Sequence, residues 1–595
     1  MKMAANTSLV AVLAAIATIT AQASAEVAAG CKAHELDFIM LEGDATHAVV
    51  EDDIRADLEK VGFTVNARPL VKADLNSNMT AGKFDLVFSE TWGAPYDPHS
   101  YLSSWKVPNE AHYPVMKKMA APLDPASFAT TLDDIYAEAD QTKRQTKITD
   151  LLGAVHSEAF NLPLWGKQIP SIVRKSRLQG YKPGYQQFDY PIQKAAVTGS
   201  KNVTVSPGAK TGLFKTVGAV DPHEYGSNEF FSSNWVYEGL LRYGANGQVE
   251  PSLATSWEIK INAKGAETVR FALRANVKFH DGAAFNCAAV KLNFDHVFHG
   301  PLTDPDYHGW YDLPGALAGW SCEGETFVLE TSKPYYPLLQ ELTYIRPLRM
   351  LSPNAFVDGI DSSPTHNNSC PARWGSFDSV DGKSSVTCVG TLYPSGTGPF
   401  KYESGNLGHG TVQDRFVFAA NADYWDGAPK IEFLHLVRHD SAAEVKAALL
   451  SGELDAVLGS GVLPPTDVKS FESNAEFEVL HSAPTTNVVL IMNIDDINVR
   501  KTIMYAINTG SIIEKELAGI EKAVTQLFPE AAPYCGAKLE PTLGYDIDKA
   551  KVLNCNAPAP TPAPSPPPAG TSAGAAMQFG SFTVGLFAVA AAMLN

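Results

Sequence analysis

The chain has 595 residues, too many for one hydrophobic core, so two or more lobes are expected. Hydrophobic residues make up 45% and charged residues 19%, the balance of an ordinary globular protein. With 47 basic against 65 acidic residues the formal net charge is −18, which argues against a nucleic-acid partner, because phosphate binding needs clustered Lys and Arg.

Residues 1–25 read as a secretory signal peptide. Lys2 supplies the positive end, 9–19 the apolar run, and Ala23-Ser24-Ala25 the cleavage site. A strand is expected at LDFIML. Next comes the helix DDIRADLEKVG, with Ile54, Leu58 and Val61 on one face and Gly62 as its stop. A strand FTVNARPL follows, then a helical stretch and an alternating strand in TAGKFDLVFSETW. Strand, helix and strand of these lengths indicate α/β architecture with a buried sheet. The polar stretch 194–212 reads as a linker or surface loop.

The segment 235–285 opens with an apolar helix start (Val236, Leu240, Leu241). A Gly-Ala-Asn-Gly turn, a LATSWE segment, a strand VRFALR and a turn at His280-Asp281-Gly282 follow. A helix is expected at 288–299, and a polar insertion occupies 362–395. The later LLSGELDAVLGS echoes TAGKFDLVFSE: Gly82 and Gly452 each precede an Asp (Asp85, Asp455) by three residues and then an apolar strand. The echo points to two similarly built lobes.

Residues 556–570 contain seven prolines and form an extended spacer. Small residues at 570–574, then a polar gap and an apolar tail, have the layout of a GPI-attachment signal. The mature protein is then expected on the outer face of a eukaryotic plasma membrane, held by a lipid anchor; a bacterial source would make it periplasmic. Sequons at Asn78, Asn202 and Asn367 are glycosylation candidates. Seven cysteines in a secreted chain suggest disulfides with one left over. Cys370 and Cys388 flank the insertion, Cys287 and Cys322 are candidates to pair within one lobe, and Cys31 and Cys555 mark the ends of the folded part, leaving Cys535 unpaired.

VYEGLL, PSLATSWE, VKFHDG, GTGPF, NADYWDG, SGELD, VRKTIMYAIN and DIDKAKVL together resemble the family 5 extracellular solute-binding proteins, which hand peptides or nickel chelates to ABC importers. From about 217 to 553 the order resembles the first two thirds of such a protein. The final third is similar to the front of this chain, at KFDLVFSETWGAPYDPHSYL and AFNLPLW. The resemblance thus implies a two-lobed α/β fold of the periplasmic-binding-protein type II class, circularly permuted. One lobe would be 165–489 and the other 31–164 plus 490–555, with a Cys31–Cys555 bridge tying the break.

The nickel-chelate branch is resembled most, through TWGAPYDPHSYL and LQELTYIRPLR. The resemblance implies that Trp92 and Tyr96 stack on a ligand, Trp310 forms a wall, and Arg346 pairs with a carboxylate in the bidentate geometry a guanidinium allows. Some positions depart from the family. Tyr307 stands where a second arginine is expected and Phe230 where a methionine lines the pocket. Glu110 falls where a histidine contacts nickel, with His112 two residues later. His112 is the candidate metal ligand, although a lone surface histidine is the simpler reading. No His-Glu-x-x-His or phosphate loop is present, and the Gly-Thr-Ser-Ala-Gly at 570–574 lies in the tail with no strand before it, so no enzyme is expected. The implied function is capture of a small solute between lobes that close like a hinge, without a cofactor. A nickel or other metal chelate is the first ligand and a short peptide the second; a sensory or adhesive surface protein keeping the fold is the competing class. A monomer is expected, and no transport partner can be read.

Overall fold

The computed structural model describes residues 30–555, apart from 207–221, 224–233, 299–312, 357–376, 379–384, 387–392, 405–414 and scattered single or paired positions. The signal peptide, the proline-rich spacer, the tail, Asn367, Cys370 and Cys388 lie outside the described residues.

Both ends of the described chain contribute to one six-stranded mixed sheet. Its order is Phe63–Leu70, His34–Leu41, Leu86–Glu90, Thr486–Met492, Asn161–Lys167 and Lys522–Ala523. The first three strands run parallel, and Thr486–Met492 lies antiparallel to its neighbours on both sides. Strand alternation sends Leu36, Phe38 and Met40 to one face, while Ile39 joins the core on the other. The helix Ala45–Glu59 covers the first face with Ile54 and Leu58, fully buried with Val61 just beyond its end. Asp44 caps it by accepting from His47 N.

The second sheet has seven strands in the order Phe400–Ser404, Arg415–Ala420, Phe433–Val437, Asn202–Ser206, Ala456–Leu458, Pro170–Arg174 and Phe477–His481. Here the linker expected at 194–212 is corrected. Asn202–Ser206 is a central strand, parallel to Phe433–Val437 and Ala456–Leu458. Its Val203 and Val205 are fully buried. The alternation was present in NVTVS, but five residues among polar neighbours are too few to stand out. The apolar helix start at 236–241 is corrected too. Among the described residues there, 234–236 alone make a helical turn, and Leu241–Tyr243 is a strand paired with Val249–Pro251. The third sheet, four antiparallel strands, runs Ala254–Ile261, Glu267–Leu273, Thr326–Thr331, Leu317–Glu323.

The echo between the two large sheets is physical. Asp85 N donates to Asp37 O at 2.9 Å, and the Asp85 carboxylate accepts from Asp37 N at 2.8 Å. Asp455 repeats this on Thr204, at 2.8 and 2.9 Å. Gly82 and Gly452, at φ 65° and 87°, end the preceding helices in the left-handed region. Each unit therefore clamps a strand to its parallel neighbour by the same side chain.

Among the described residues the chain passes between the two large sheets at 168–169 and 482–485. These crossings hold each other: Ile169 N donates to Ser482 Oγ at 2.9 Å and Ser482 N to Ile169 O at 3.2 Å. The ends of the chain meet. Cys31 and Cys555 form a disulfide, as do Cys287 and Cys322, while Cys535 is a buried free thiol. Asn554 reinforces the junction, donating to Lys32 O and Val61 O and accepting Lys32 N on its own carbonyl. Gly62, at φ 92°, is required there, because a Cβ would sit 2.7 Å from Cys31 Cβ.

Candidate ligand cleft

The strand Leu86–Glu90 runs out into the loop 91–98, which carries Trp92 and Tyr96. This loop is organised by one carboxylate. Asp97, fully buried, accepts from Trp92 N at 3.2 Å and Gly93 N at 2.9 Å. Gly93 adopts φ 75°, and its carbonyl accepts from Tyr96 N and Asp97 N. Burial pushes the Asp97 carboxyl up to about 7, against the pull of Thr91, Gly93 and Trp92, which donate to it. Thr91 is anchored to the neighbouring strand through Asn487, which donates from its backbone to Thr91 Oγ1 at 2.9 Å.

Facing this loop is the segment 335–349, which links the third sheet to the second. The Tyr96 and Tyr344 rings lie 4.2 Å apart between centroids, and Tyr344 Oη hydrogen-bonds Ser100 Oγ. Gln340 Nε2 donates to Pro95 O. Tyr336 N donates to Tyr136 O at 3.0 Å, and Tyr336 Oη contacts His99 Nε2. The Arg144 guanidinium lies 3.4 Å over the Tyr336 ring and donates to Tyr534 Oη at 2.8 Å. An apolar cluster runs without a break from Ile39, Tyr101 and Trp105 to Phe271, Phe327 and Leu338. Loop 91–98 and segment 335–349 are thus packed together rather than separated by an open channel.

Beneath that contact is a buried polar hub missed by sequence reasoning. Glu238, the acid of VYEGLL, accepts from Thr397 Oγ1 at 2.8 Å, Tyr424 Oη at 2.9 Å and Trp425 Nε1 at 2.9 Å. It therefore binds GTGPF and NADYWDG to its own segment. Gly396 and Gly398 fit closely against the Val236 and Trp235 carbonyls, where a Cβ would overlap them. Burial raises the Glu238 carboxyl, and its three donors together with nearby Arg349 pull the other way. Burial lowers Arg349, which is 3% exposed and donates to Thr343 O at 3.2 Å. Only the acid within an apolar run could have marked Glu238 as structural.

Of the residues singled out beforehand, Trp92 and Tyr96 are half-buried on one loop, Trp92 meeting Tyr101 edge-on at 5.5 Å. Arg346, Trp310, Phe230 and Tyr307 lie outside the described residues. His112 is corrected. It is not on the surface but 3% exposed, stacked 4.2 Å from Trp105 and hydrogen-bonded through Nε2 to Asn161 Oδ1 at 2.6 Å. Burial depresses it to about 4, so the ring is neutral near pH 7. Among the described residues no three His, Cys, Asp or Glu side chains are grouped to hold a metal ion. Glu110 is half-buried, and burial pushes its carboxyl up to about 7 against the attraction of Lys72.

Residues 248–557 match the family described as bacterial extracellular solute-binding proteins, family 5 Middle, which is just over half of the chain. The chain belongs to this family. It is similar to the nickel-binding periplasmic protein of Escherichia coli (strain K12), 30% identical over 344 residues, covering 57% of this chain and 58% of that one. The glutathione-binding protein GsiB of the same strain is 26% identical over 362 residues, covering 60% and 61%. Among solved structures, NikA from Brucella suis in complex with Fe(III)-EDTA is 28% identical with a TM-score of 0.46, covering 59% and 63%. The chain therefore spans less than two thirds of the relatives it matches. The family membership fits the fold described above, with its mixed α/β sheets.

Proposed function

We propose that this family 5 chain is an extracellular receptor of the ABC-importer type, which captures a small solute between its lobes and closes by bending at the paired crossings 168–169 and 482–485. The observation that carries the proposal is the meeting of the Asp97-pinned loop, which follows a strand of the first sheet, with segment 335–349 of the other part of the chain, Tyr96 against Tyr344. The lobes are 170–481 and 31–167 with 486–555, because the expected breaks at 164/165 and 489/490 fall inside the strands Asn161–Lys167 and Thr486–Met492 of the first sheet, and the chain is a circular permutant. The shared sheet of its two ends and the Cys31–Cys555 bridge support that reading.

A nickel or other transition-metal chelate is the preferred ligand, supported by the 30% identical nickel-binding relative and by the half-buried Trp92 and Tyr96. In this reading Trp92, Tyr96 and Trp310 stack on the chelate, Tyr307 and Phe230 shape the wall, and Arg346 takes a carboxylate. A short peptide is the second reading, favoured by the glutathione-binding relative. The protein carries out no catalysis, and it is secreted and GPI-anchored through 570–574. Sugars attach at Asn202, which is exposed, and at Asn78, which is half-buried with its Nδ2 donating to Asp74 O.

Thermal shift with nickel–histidine complexes, carboxylate chelates and dipeptides tests the proposal. One class should raise the melting temperature, since a ligand at about 100 times its Kd adds roughly 2.7 kcal/mol. Trp92→Ala and Tyr96→Ala should abolish that shift. Full shifts in both variants refute the site, and no shift with any probe favours the non-transport reading.

A further inference from the structure

Among the described residues the strand Ala254–Ile261 is an outer edge of the four-stranded antiparallel sheet, paired on one side only, with Glu267–Leu273. Its hydrogen-bonding phase can be read from the turn that follows it. Asn262 N donates inward to Ala266 O, in the same register that sets Ile261 opposite Glu267. In an antiparallel ladder successive residues alternate, so Lys260 and Glu258 also bond inward. The backbone groups of Trp257, Ile259 and Ile261 then point away from the sheet. The side chains of these three residues share the face of Val269 and Phe271, both fully buried. Yet Ile259 is 41% exposed and Ile261 55%, on a strand whose outward backbone groups meet no partner strand among the described residues. Glu258 and Lys260 stand on the opposite face, 3.5 Å apart and largely in solvent.

We propose that this edge pairs with the same edge of a second copy, antiparallel about a two-fold axis at Ile259. That register sets Ile259 against Ile259 and Trp257 against Ile261, all with outward backbone groups, so both rows of donors and acceptors are satisfied. It also sets Glu258 against Lys260 twice, once on each side of the axis. Centring on Glu258 or Lys260 instead would oppose like charges, which is unfavourable in directly opposite pairs. The strand is thus complementary to itself in backbone phase, apolar face and charge, and the two sheets become one of eight strands. A bare edge of this kind is a template for pairing, and a matched partner removes the liability. This dimer replaces the monomer expected from the sequence, and it is independent of the ligand reading.

Sedimentation and light scattering of the full secreted chain over a concentration series test it. The wild type should pass from monomer to dimer as concentration rises. Glu258→Lys and Lys260→Glu should each shift the transition at least tenfold to higher concentration. The double exchange should restore it, with unchanged thermal melts showing that all variants fold. Ile259→Cys should give a covalent dimer on mild oxidation, whereas Leu450→Cys, on another exposed site, should not. A wild type that stays monomeric to its solubility limit overturns the proposal. So does a dimer that either charge reversal leaves intact, or one that the double exchange fails to rescue.

Discussion

Removing the Cys31–Cys555 bridge by Cys31→Ser with Cys555→Ser should cost more than removing Cys287–Cys322 in the same way. The two bonds close chain separations of 524 and 35 residues. A cross-link removes conformations from the unfolded chain in proportion to the logarithm of the loop it closes. That gives about 6 kcal/mol for the long loop and about 4 kcal/mol for the short one, a difference of about 2 kcal/mol. The native side should lose little in the long-loop variant, because Asn554 still holds Lys32 and Val61 by backbone-directed hydrogen bonds. Urea unfolding followed by tryptophan fluorescence measures the difference directly, with wild type and both variants under the same conditions. A long-loop variant as stable as the short-loop one, or more so, refutes the idea that the bridge acts by restraining two otherwise independent ends.

Further outcomes follow from single contacts. Gly396→Ala drives a Cβ into the Val236 carbonyl and the Tyr237 ring and should cost about 2–4 kcal/mol, whereas Gly510→Ala, whose nearest neighbour is 3.7 Å away, should be neutral or stabilising by up to about 1 kcal/mol. Urea midpoints decide between them. Glu238→Ala strands the donors of Thr397, Tyr424 and Trp425 and should cost at least about 3 kcal/mol in the same assay. Asp97, raised from 3.8 to about 7, contributes stability that is complete below about pH 4 and lost as pH rises to 7. His112, His223 and His280, held near 4 by burial, act oppositely, contributing above pH 6.5 and losing that as pH falls towards 4. Asp97→Asn should therefore gain on wild type between pH 4 and 7, by as much as about 4 kcal/mol, in melts taken across that range; a constant difference refutes the assignment. Joining residue 555 to 31 and opening the chain near 200 should leave a folded protein with wild-type secondary structure by circular dichroism, since Lys32 N and Asn554 O already lie 2.9 Å apart.

Local chemistry was legible in the residues themselves. The glycines at 62, 82 and 452 mark helix stops because only a residue without Cβ takes positive φ freely. The helix face of Ile54, Leu58 and Val61 and the strands of the first sheet follow from periods of 3.6 and 2. Other features required the chain to be folded. Val203 and Val205 in a short polar stretch occupy the middle of a seven-stranded sheet because their neighbours arrive from more than two hundred residues away. His112 is buried because Trp105 and Asn161 close around it, and a histidine's surroundings leave no trace in its own neighbours along the chain. Tyr96 reached the sequence argument, but its partner Tyr344 did not, and neither did the role of Asp97 in shaping the loop between them. Short-range conformational preference is a property of a few consecutive side chains, and the sequence alone determined it. Which buried acid meets which donor depends on how distant segments close over one another, and only the tertiary structure decided that.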